Sequence, residues 1–296
     1  QELVRVQEHL RAVGKTRSGR ISVLLQPKGG VGCSTIAAGL AEASLESPGT
    51  TLLWDMDIES RDISRALAGR CAQSQVVNNW IDGTESLNKE SFNNGIVNVT
   101  DRFCILPPPD NIACKMDFAG HPEMLELMQK IVTLAKVRFD HIIVDAAGRM
   151  SPGVGFLIRH ADEVAVVIDD SILGLSAAQY FIETFAPVLE HAENVRILCS
   201  GTKLNREEIS ECLTLDDRDE DNTVSFLPRI PYDPAANTWA GSGASFFANA
   251  QPETKQALLD ICYEMGIGSK PELRIEPQKQ SSFRVPGFFQ KVANSF

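Results

Sequence analysis

Short runs of hydrophobic residues recur along the chain, and stretches with the spacing of an amphipathic helix separate them. The runs are rich in valine, isoleucine and leucine and lack alternating polar positions, which is typical of strands buried on both faces of a parallel sheet. They predict strands at residues 20–26, 50–55, 103–106, 141–145, 163–169, 195–199 and 224–230. Helices are predicted at residues 35–45, 122–138, 174–192, 205–213 and 252–266. This alternation predicts an α/β fold with a mostly parallel sheet and helices on both faces.

A glycine-rich segment joins the first predicted strand to the first predicted helix. It reads Pro27-Lys28-Gly29-Gly30-Val31-Gly32-Cys33-Ser34-Thr35. In a phosphate-binding loop, backbone N–H groups surround a phosphate, a lysine follows the last glycine, and a serine or threonine hydroxyl binds Mg²⁺. A helix N-terminus placed after such a loop completes an anion site. We therefore predict a P-loop NTPase-like nucleotide site here, with an ordinary glycine-rich turn as the alternative.

The loop departs from this pattern at one position. Cys33 stands where the lysine is expected, and another lysine, Lys28, lies five residues earlier. A charge-assisted hydrogen bond contributes about 1.5–3 kcal/mol, and a donor used in the transition state changes the rate by about 10²–10³. Because the backbone amides remain, we expect nucleotide binding to be retained better than hydrolysis. Cys33 is either a small residue tolerated in the loop or a reactive thiol at a helix N-terminus.

Acidic residues follow two of the predicted strands. Asp55 and Asp57 lie at the end of the second strand, and Asp145 ends the fourth. Ligands of parallel sheets bind beyond the carboxyl ends of the strands, so these acids are expected near the glycine loop. Carboxylates in that place hold metal-bound water or orient an attacking water. The alternative is that each aspartate caps a helix or belongs to a loop.

Composition limits the classes of function. The chain has 296 residues, 43% of them hydrophobic, and a formal net charge of −11. Its length suits one large domain at 19–268 between a helix or linker at 1–18 and a tail at 269–296. Seven cysteines without a Cys-x-x-Cys pair favour free thiols in a reducing compartment. We expect a cytoplasmic protein, since no signal peptide is evident, and the acidic charge argues against nucleic-acid binding.

Three segments together resemble the deviant Walker A superfamily of MinD and ParA ATPases. They are Lys28–Thr35, Leu52–Asp57 and Ile142–Asp145. Within it, the chain is most similar to the TadZ/CpaE pilus-assembly branch. The features that carry this likeness are the replaced lysine before Ser34, the prolines at 107–109 and the segment 228–233 leading into Ala244 and Ser245. Cellulose-secretion relatives lack the same lysine. The resemblance spans residues 19–268.

The resemblance implies that ATP and Mg²⁺ bind at the glycine loop. The loop residues that would contact nucleotide are Lys28, Gly29, Gly30, Val31, Gly32, Cys33, Ser34 and Thr35. Lys28 would reach across a face-to-face homodimer to the nucleotide of the partner subunit and act in catalysis. The hydroxyl of Ser34 would bind Mg²⁺, and Thr35 would contact the α-phosphate.

The same resemblance implies roles outside the loop. Asp57 would position the attacking water, and Asp55 and Asp145 would be acids of the metal site, while Arg61 is the basic residue that follows the acidic motif. The asparagine expected after the sixth strand is absent. The adenine pocket is therefore assigned to Thr202, Pro231, Tyr232 and Asp233.

These features predict a dimeric switch or localisation scaffold for a type IV (Tad/Flp-like) pilus or a secretion machine, with weak or absent ATP hydrolysis. Its partners would be proteins of that machine, and it would be recruited to the inner membrane or the cell pole. Two alternatives stay open: a ParA-type DNA or plasmid partition ATPase, and a nucleotide-free interaction module like the cellulose-secretion relatives.

The ends of the chain carry weaker signals. A hydrophobic stripe within 1–18 predicts a helix that packs on this domain or on another one. In the tail, residues 285–296 place Phe288, Phe289, Val292 and Phe296 on one helical face, which suits the chain's own domain, a protein partner or a membrane surface. The acidic segment 216–222 resembles a calcium loop but lacks its glycine, so a solvated loop is favoured.

Overall fold

The computed structural model describes residues 18–68, 71–115, 124–146, 150–213, 225–240 and 245–268. The predicted N-terminal helix, the acidic segment 216–222 and the tail lie outside these residues, so their predictions stay untested. The same holds for the proposed boundaries of the domain.

Within the described residues, eight strands form one sheet. They are β1 Arg20–Leu25, β2 Thr51–Asp55, β3 Val97–Asn98, β4 Phe103–Leu106, β5 His141–Asp145, β6 Glu163–Ile168, β7 Val195–Cys199 and β8 Ser225–Phe226. Their order across the sheet is β3-β4-β2-β5-β1-β6-β7-β8. All neighbours are parallel except β3 and β4, which run antiparallel. The mostly parallel sheet predicted from the apolar runs is confirmed.

Helices cover both faces of this sheet. They are α1 Cys33–Ala43, α2 Asp62–Ala68, α3 Gln73–Ile81, α4 Lys89–Asn94, α5 Met124–Arg138, α6 Pro152–Arg159, α7 Ile172–Leu189, α8 Arg206–Cys212, α9 Phe246–Asn249 and α10 Pro252–Glu264. Short 3₁₀ turns lie at Ser44–Glu46 and Pro234–Asn237. The sequence pattern did not predict α2, α3, α4, α6 or α9. It also placed a full strand at 224–230, where the structure has two residues of β8 and an isolated bridge between Ser200 and Ile230.

Successive residues of the central strands enter two separate cores. In β1, Ile21 and Val23 belong to the core under α5 and α7, whereas Leu24 belongs to the core under α1 and α10. This is why the strands read as continuous apolar runs: a side chain on either face meets a helix.

Helix α1 lies deep within the second core. Its residues from Ile36 to Ala43 are all buried, so this part of the helix lacks the solvent-facing side that an amphipathic helix would have. A Cβ atom added at Gly39 would lie 2.9 Å from Phe246 Cδ1 and 3.1 Å from Leu258 Cδ1. The glycine therefore lets α9 and α10 pack closely on α1. This burial fixes the N-terminus of α1, and with it the glycine loop, at the carboxyl edge of the sheet.

Candidate nucleotide-binding site

The glycine loop curls because two of its residues adopt positive φ angles. Gly30 has φ of 85° and Gly32 has φ of 89°, a region that favours glycine. Gly32 is the N-cap of α1 and offers no side chain to the first turn, which also contains no acidic residue. The N–H groups of a helix N-terminus bind anions well. The loop therefore presents an open set of backbone donors that fits a phosphate.

A cleft of about 560 Å³ lies over this loop. Its lining combines the loop and α1 start with the ends of the central strands and the segment after β8: Gln26, Gly30, Val31, Gly32, Cys33, Ser34, Thr35, Ile36, Asp57, Asp62, Asp169, Asp170, Ser171, Ser200, Gly201, Ile230, Pro231, Tyr232, Asp233, Ala236, Asn237 and Phe246. The cleft thus lies at the carboxyl edge of the parallel strands, where ligands of such sheets bind. It is large enough for a nucleotide.

Lys28 is held at the rim of this cleft by residues of its own chain. Its Nζ donates to Asp169 Oδ2 at 2.9 Å and to Ser171 Oγ at 3.0 Å. Burial alone would raise the pKa of Asp169, but the hydrogen bonds from Ser171 and Lys28 outweigh it and lower that pKa. The Lys28 side chain in this ion pair is 34% exposed. Exposed pairs contribute about 0–1 kcal/mol, so Lys28 can leave Asp169 at little cost.

Cys33 does not present its thiol to the cleft as a charged group. The side chain is buried, 1% exposed, and it lies beside the buried carboxylate of Asp145. Burial raises the pKa of the Cys33 thiol well above its usual value, and the negative charges of Asp145 and Asp57 raise it further. The thiol therefore stays protonated at neutral pH. Because the thiolate is the reactive form, the geometry favours the interpretation of Cys33 as a small residue tolerated in the loop.

Asp57 lines the cleft and also holds its own turn together. Its carboxylate accepts hydrogen bonds from the N–H groups of Glu59 and Ser60 at 3.2 and 3.0 Å, and from the Ser60 hydroxyl. Arg61, which closes this turn, has φ of 56° and donates from Nη2 to Ser74 Oγ at 2.8 Å. The turn is thereby fixed to α3. Asp57 is placed where it would meet a ligand in the cleft.

Asp55 and Asp145 lie behind the cleft rather than in its lining. The register of β2 and β5 pairs them directly, and both are fully buried. Asp55 Oδ2 accepts from the N–H of Ser64 at 2.9 Å and from its hydroxyl at 2.5 Å, and Oδ1 accepts from the N–H of Asp57 at 3.2 Å. Asp55 therefore binds the first turn of α2, as in the helix-cap alternative.

Burial of Asp55 should make stability depend on pH. Burial raises its pKa to about 7, the hydrogen bonds from Ser64 lower it, and Asp145 raises it. Between the ordinary pKa of about 4 and this value, the folded state binds more protons than the unfolded state, so the free energy of unfolding falls as pH rises. We expect Asp55→Asn to gain about 2–3 kcal/mol relative to the parent chain between pH 5 and pH 8. Urea unfolding in EDTA measures this difference.

The control for that experiment is Asp82→Asn. Asp82 is fully exposed, and hydrogen bonds from Thr84 lower its pKa, so its titration ends below pH 5. Its replacement should leave the slope between pH 5 and pH 8 as in the parent. Equal slopes for the parent and Asp55→Asn would contradict the assignment of this pH dependence to Asp55.

The residues assigned to the adenine pocket are only partly brought together. Pro231, Tyr232 and Asp233 line the cleft, whereas Thr202 does not. Thr202 is buried, and its carbonyl accepts from Arg229 at 3.3 Å. The carboxylate of Asp233 is occupied by the N–H groups of Ala235 and Gln251, at 2.9 and 2.7 Å. Asp233 therefore shapes the cleft through its backbone.

Several residues that line the cleft or contact its lining were missed by the sequence analysis. Asp169 and Ser171 hold Lys28, and their only sequence signal was the acidic end of a predicted strand. Asn237 Nδ2 donates to the hydroxyl of Tyr232 at 3.2 Å. Trp239 Nε1 donates to Thr35 Oγ1 at 3.2 Å across 204 positions of sequence. No local pattern indicates such a contact.

The donor set also fits a nucleotide-bound Mg²⁺. Within the described ranges, no group of three His, Cys, Asp or Glu side chains is arranged to hold a metal ion by itself. Mg²⁺ in nucleotide sites keeps several waters and takes one or two protein ligands in addition to phosphate oxygens. Ser34 lies at the start of α1 and lines the cleft with Asp57, so its hydroxyl suits that role. Asp55 and Asp145 do not line the cleft, so they would act on such an ion only indirectly.

Comparison with curated proteins finds similarity along most of the chain. The septum site-determining protein MinD of Buchnera aphidicola is 24% identical over 281 residues, which are 89% of this chain and 97% of that protein. No family model matches the sequence.

Solved structures share the fold. A ParA family ATPase from Chlorobium tepidum superposes with a TM-score of 0.68 at 22% identity, covering 82% of this chain and 98% of the other. MinD from Pyrococcus horikoshii, solved with Mg-ADP, gives 0.65 at 17% identity, covering 83% and 95%. The chain therefore shares the α/β fold of these ATPases, and its sequence is similar to MinD along most of its length.

Proposed function

We propose that this chain binds ATP with Mg²⁺ in the cleft and forms a nucleotide-dependent homodimer that hydrolyses ATP slowly or not at all. The observation that carries the proposal is the open N-terminus of α1 behind a loop with positive φ at Gly30 and Gly32. These backbone donors fit a triphosphate without a lysine at position 33. A relative solved with Mg-ADP adds support from outside the chain.

Slow turnover follows from the chemistry of position 33. The buried, protonated thiol of Cys33 supplies no positive charge to the phosphates. Binding draws mainly on the backbone, while hydrolysis needs charge that develops in the transition state. Asp57 is present to orient water, so the missing element is the cation. Such a protein suits a switch or scaffold better than a metabolic enzyme.

The surface beside Lys28 supports the dimer. Ser171, which holds Lys28, is the N-cap of α7, and the next two residues, Ile172 and Leu173, are 63% and 74% exposed. Among the described helices, α7 alone has the length and composition of a membrane span, but its buried residues, such as Phe181, belong to the core of the domain. An apolar rim beside the cleft suits a second copy that places its own Lys28 opposite.

The pilus or secretion role rests on the resemblance to the TadZ/CpaE branch. In that role, the dimer would recruit proteins of the assembly machine at the inner membrane or cell pole, with residues 285–296 as a contact to protein or membrane. A DNA partition ATPase would need a basic surface, which the net charge of −11 disfavours. A nucleotide-free module would leave the cleft without a ligand.

The experiment is a titration of the full chain with ATP and Mg²⁺, compared with Gly30→Ala. Gly30 lines the cleft, and a Cβ atom there meets no protein atom within 4 Å, so the added methyl group would occupy space open to the phosphate. We expect the parent chain to bind ATP with a micromolar dissociation constant, which corresponds to a binding free energy of about −8 kcal/mol. For Gly30→Ala, we expect binding weaker by about tenfold or more.

Gly83→Ala is the matched control. Gly83 also has positive φ, 76°, and also meets nothing within 4 Å, but it follows α3 and does not line the cleft. Both variants should lose a similar free energy of unfolding, about 1 kcal/mol, from backbone strain. Binding lost equally in both, or absent from the parent at millimolar ATP, would reject the proposed site.

A further inference from the structure

Trp239 is a buried aromatic residue that contacts the phosphate end of the cleft. Its side chain is 5% exposed and packs against Phe246, with ring centroids 6.3 Å apart. Its indole Nε1 donates to Thr35 Oγ1 at 3.2 Å. Thr35 is in the first turn of α1 and lines the cleft. The indole is therefore an outer neighbour of a hydroxyl that faces the ligand.

The direction of this hydrogen bond fixes what the hydroxyl can offer. An indole N–H is only a donor, whereas a threonine hydroxyl has one proton and two acceptor sites. The Thr35 oxygen must therefore accept from Trp239. Its own proton remains available to donate, and the ligand in this cleft would be an anion. A hydroxyl held in this way is prepared to donate to a phosphate oxygen.

The backbone around Trp239 is itself fixed to a second segment of the cleft lining. Asp233 caps the 3₁₀ turn Pro234–Asn237 and also binds the N–H of Gln251. The N–H of Trp239 donates to the carbonyl of Ala235 in that turn, at 3.1 Å. One short segment thus joins Tyr232 and Asp233, which line the cleft, to Thr35 at the loop.

We infer that Trp239 is a positioning residue for nucleotide binding, which orients the Thr35 hydroxyl so that its proton points to a phosphate of the bound nucleotide. This inference rests on the proposed function, because it names how the same cleft holds its ligand. Trp239 acts through Thr35 and does not line the cleft itself.

Trp239→Phe tests the inference, because phenylalanine retains an aromatic ring and removes the N–H. The matched control is Trp80→Phe. Trp80 is also 5% exposed, its Nε1 donates to the hydroxyl of Ser91 at 2.5 Å, and neither residue lines the cleft. Loss of one oriented hydrogen bond should weaken ATP and ADP binding by about three- to tenfold in Trp239→Phe. Trp80→Phe should bind both nucleotides as the parent does.

A double-mutant cycle separates positioning from packing. In a Thr35→Ala background the hydroxyl is absent, so Trp239→Phe should cause no further loss of ATP affinity. A second measurement changes nothing at Trp239: ATP should alter the intrinsic tryptophan emission of the parent chain. Of its three tryptophans, Trp54 and Trp80 are buried and neither line the cleft nor contact it through Thr35. Trp239 is hydrogen-bonded to Thr35, so a change in emission would report on Trp239.

The outcomes are distinct. Weaker binding that disappears in the Thr35→Ala background, together with an emission change, supports the inference. Unchanged ATP affinity in Trp239→Phe, an equal loss in the presence and absence of the Thr35 hydroxyl, or an emission that ATP leaves unaltered would overturn it while leaving the proposed function intact. A parent chain that binds no ATP would overturn both.

Discussion

Replacement of Lys28 by alanine is expected to abolish the ATP-dependent dimer while leaving the folded monomer intact. In the described chain, Lys28 is bound to Asp169 and Ser171, and this pair is partly exposed. An exposed pair contributes about 0–1 kcal/mol, so stability should fall by no more than that. A lysine that contacts a partner's triphosphate in a buried interface would contribute far more, about 2–5 kcal/mol. Light scattering with ATP and Mg²⁺ measures the dimer.

Two controls separate the lysine from its ion pair. Asp169→Asn removes the same pair but leaves Lys28 available, so the dimer should persist. Lys136→Ala removes another half-buried lysine, whose Nζ lies 3.9 Å from Asp162 and away from the cleft. It should dimerise as the parent does. Dimerisation by Lys28→Ala at the parent's ATP concentration would rule out a lysine acting across the interface.

Replacement of Cys33 by lysine is expected to raise the rate of ATP hydrolysis by about 10²–10³. The change restores a cation at the one position where the loop lacks it, and Asp57 is already in the cleft to orient water. The buried carboxylate of Asp145 lies beside position 33, so it can balance the positive charge of the new lysine. Single-turnover hydrolysis at saturating ATP measures the rate.

Cys33→Ala is the control for the lysine variant. It removes the thiol beside Asp145 without adding charge. Hydrolysis should then stay at the parent's low rate, and ATP affinity should change little. If Cys33→Lys binds ATP but hydrolyses it no faster than Cys33→Ala, the missing cation is not the cause of slow turnover.

Local patterns predicted much of the fold. The apolar runs gave three strands, β4, β5 and β7, with the bounds that the structure has. These strands are buried on both faces, so their composition alone identifies them. The short helices between β2 and β4 escaped prediction, because pieces of six to nine residues carry little periodic signal and depend on tertiary contacts.

The candidate site was predicted where the chain itself is continuous and missed where distant segments meet. The loop at Lys28–Thr35 is a continuous segment of sequence, and its glycines indicate the positive φ angles that the structure has there. By contrast, Lys28 meets Asp169 across 141 positions, and Thr35 meets Trp239 across 204. Asp55 shows the same limit. Its place at a strand end suggested a metal acid, but only the fold shows that Ser64 occupies its carboxylate.

The most direct measurement is hydrogen exchange at the backbone amides of residues 29–35, with and without ATP and Mg²⁺. If these amides hold the triphosphate while Cys33 contributes no charge, their exchange should slow markedly at saturating ATP, and Gly30→Ala should lose that protection. Exchange in this segment that is unchanged at millimolar ATP would contradict nucleotide binding by the loop.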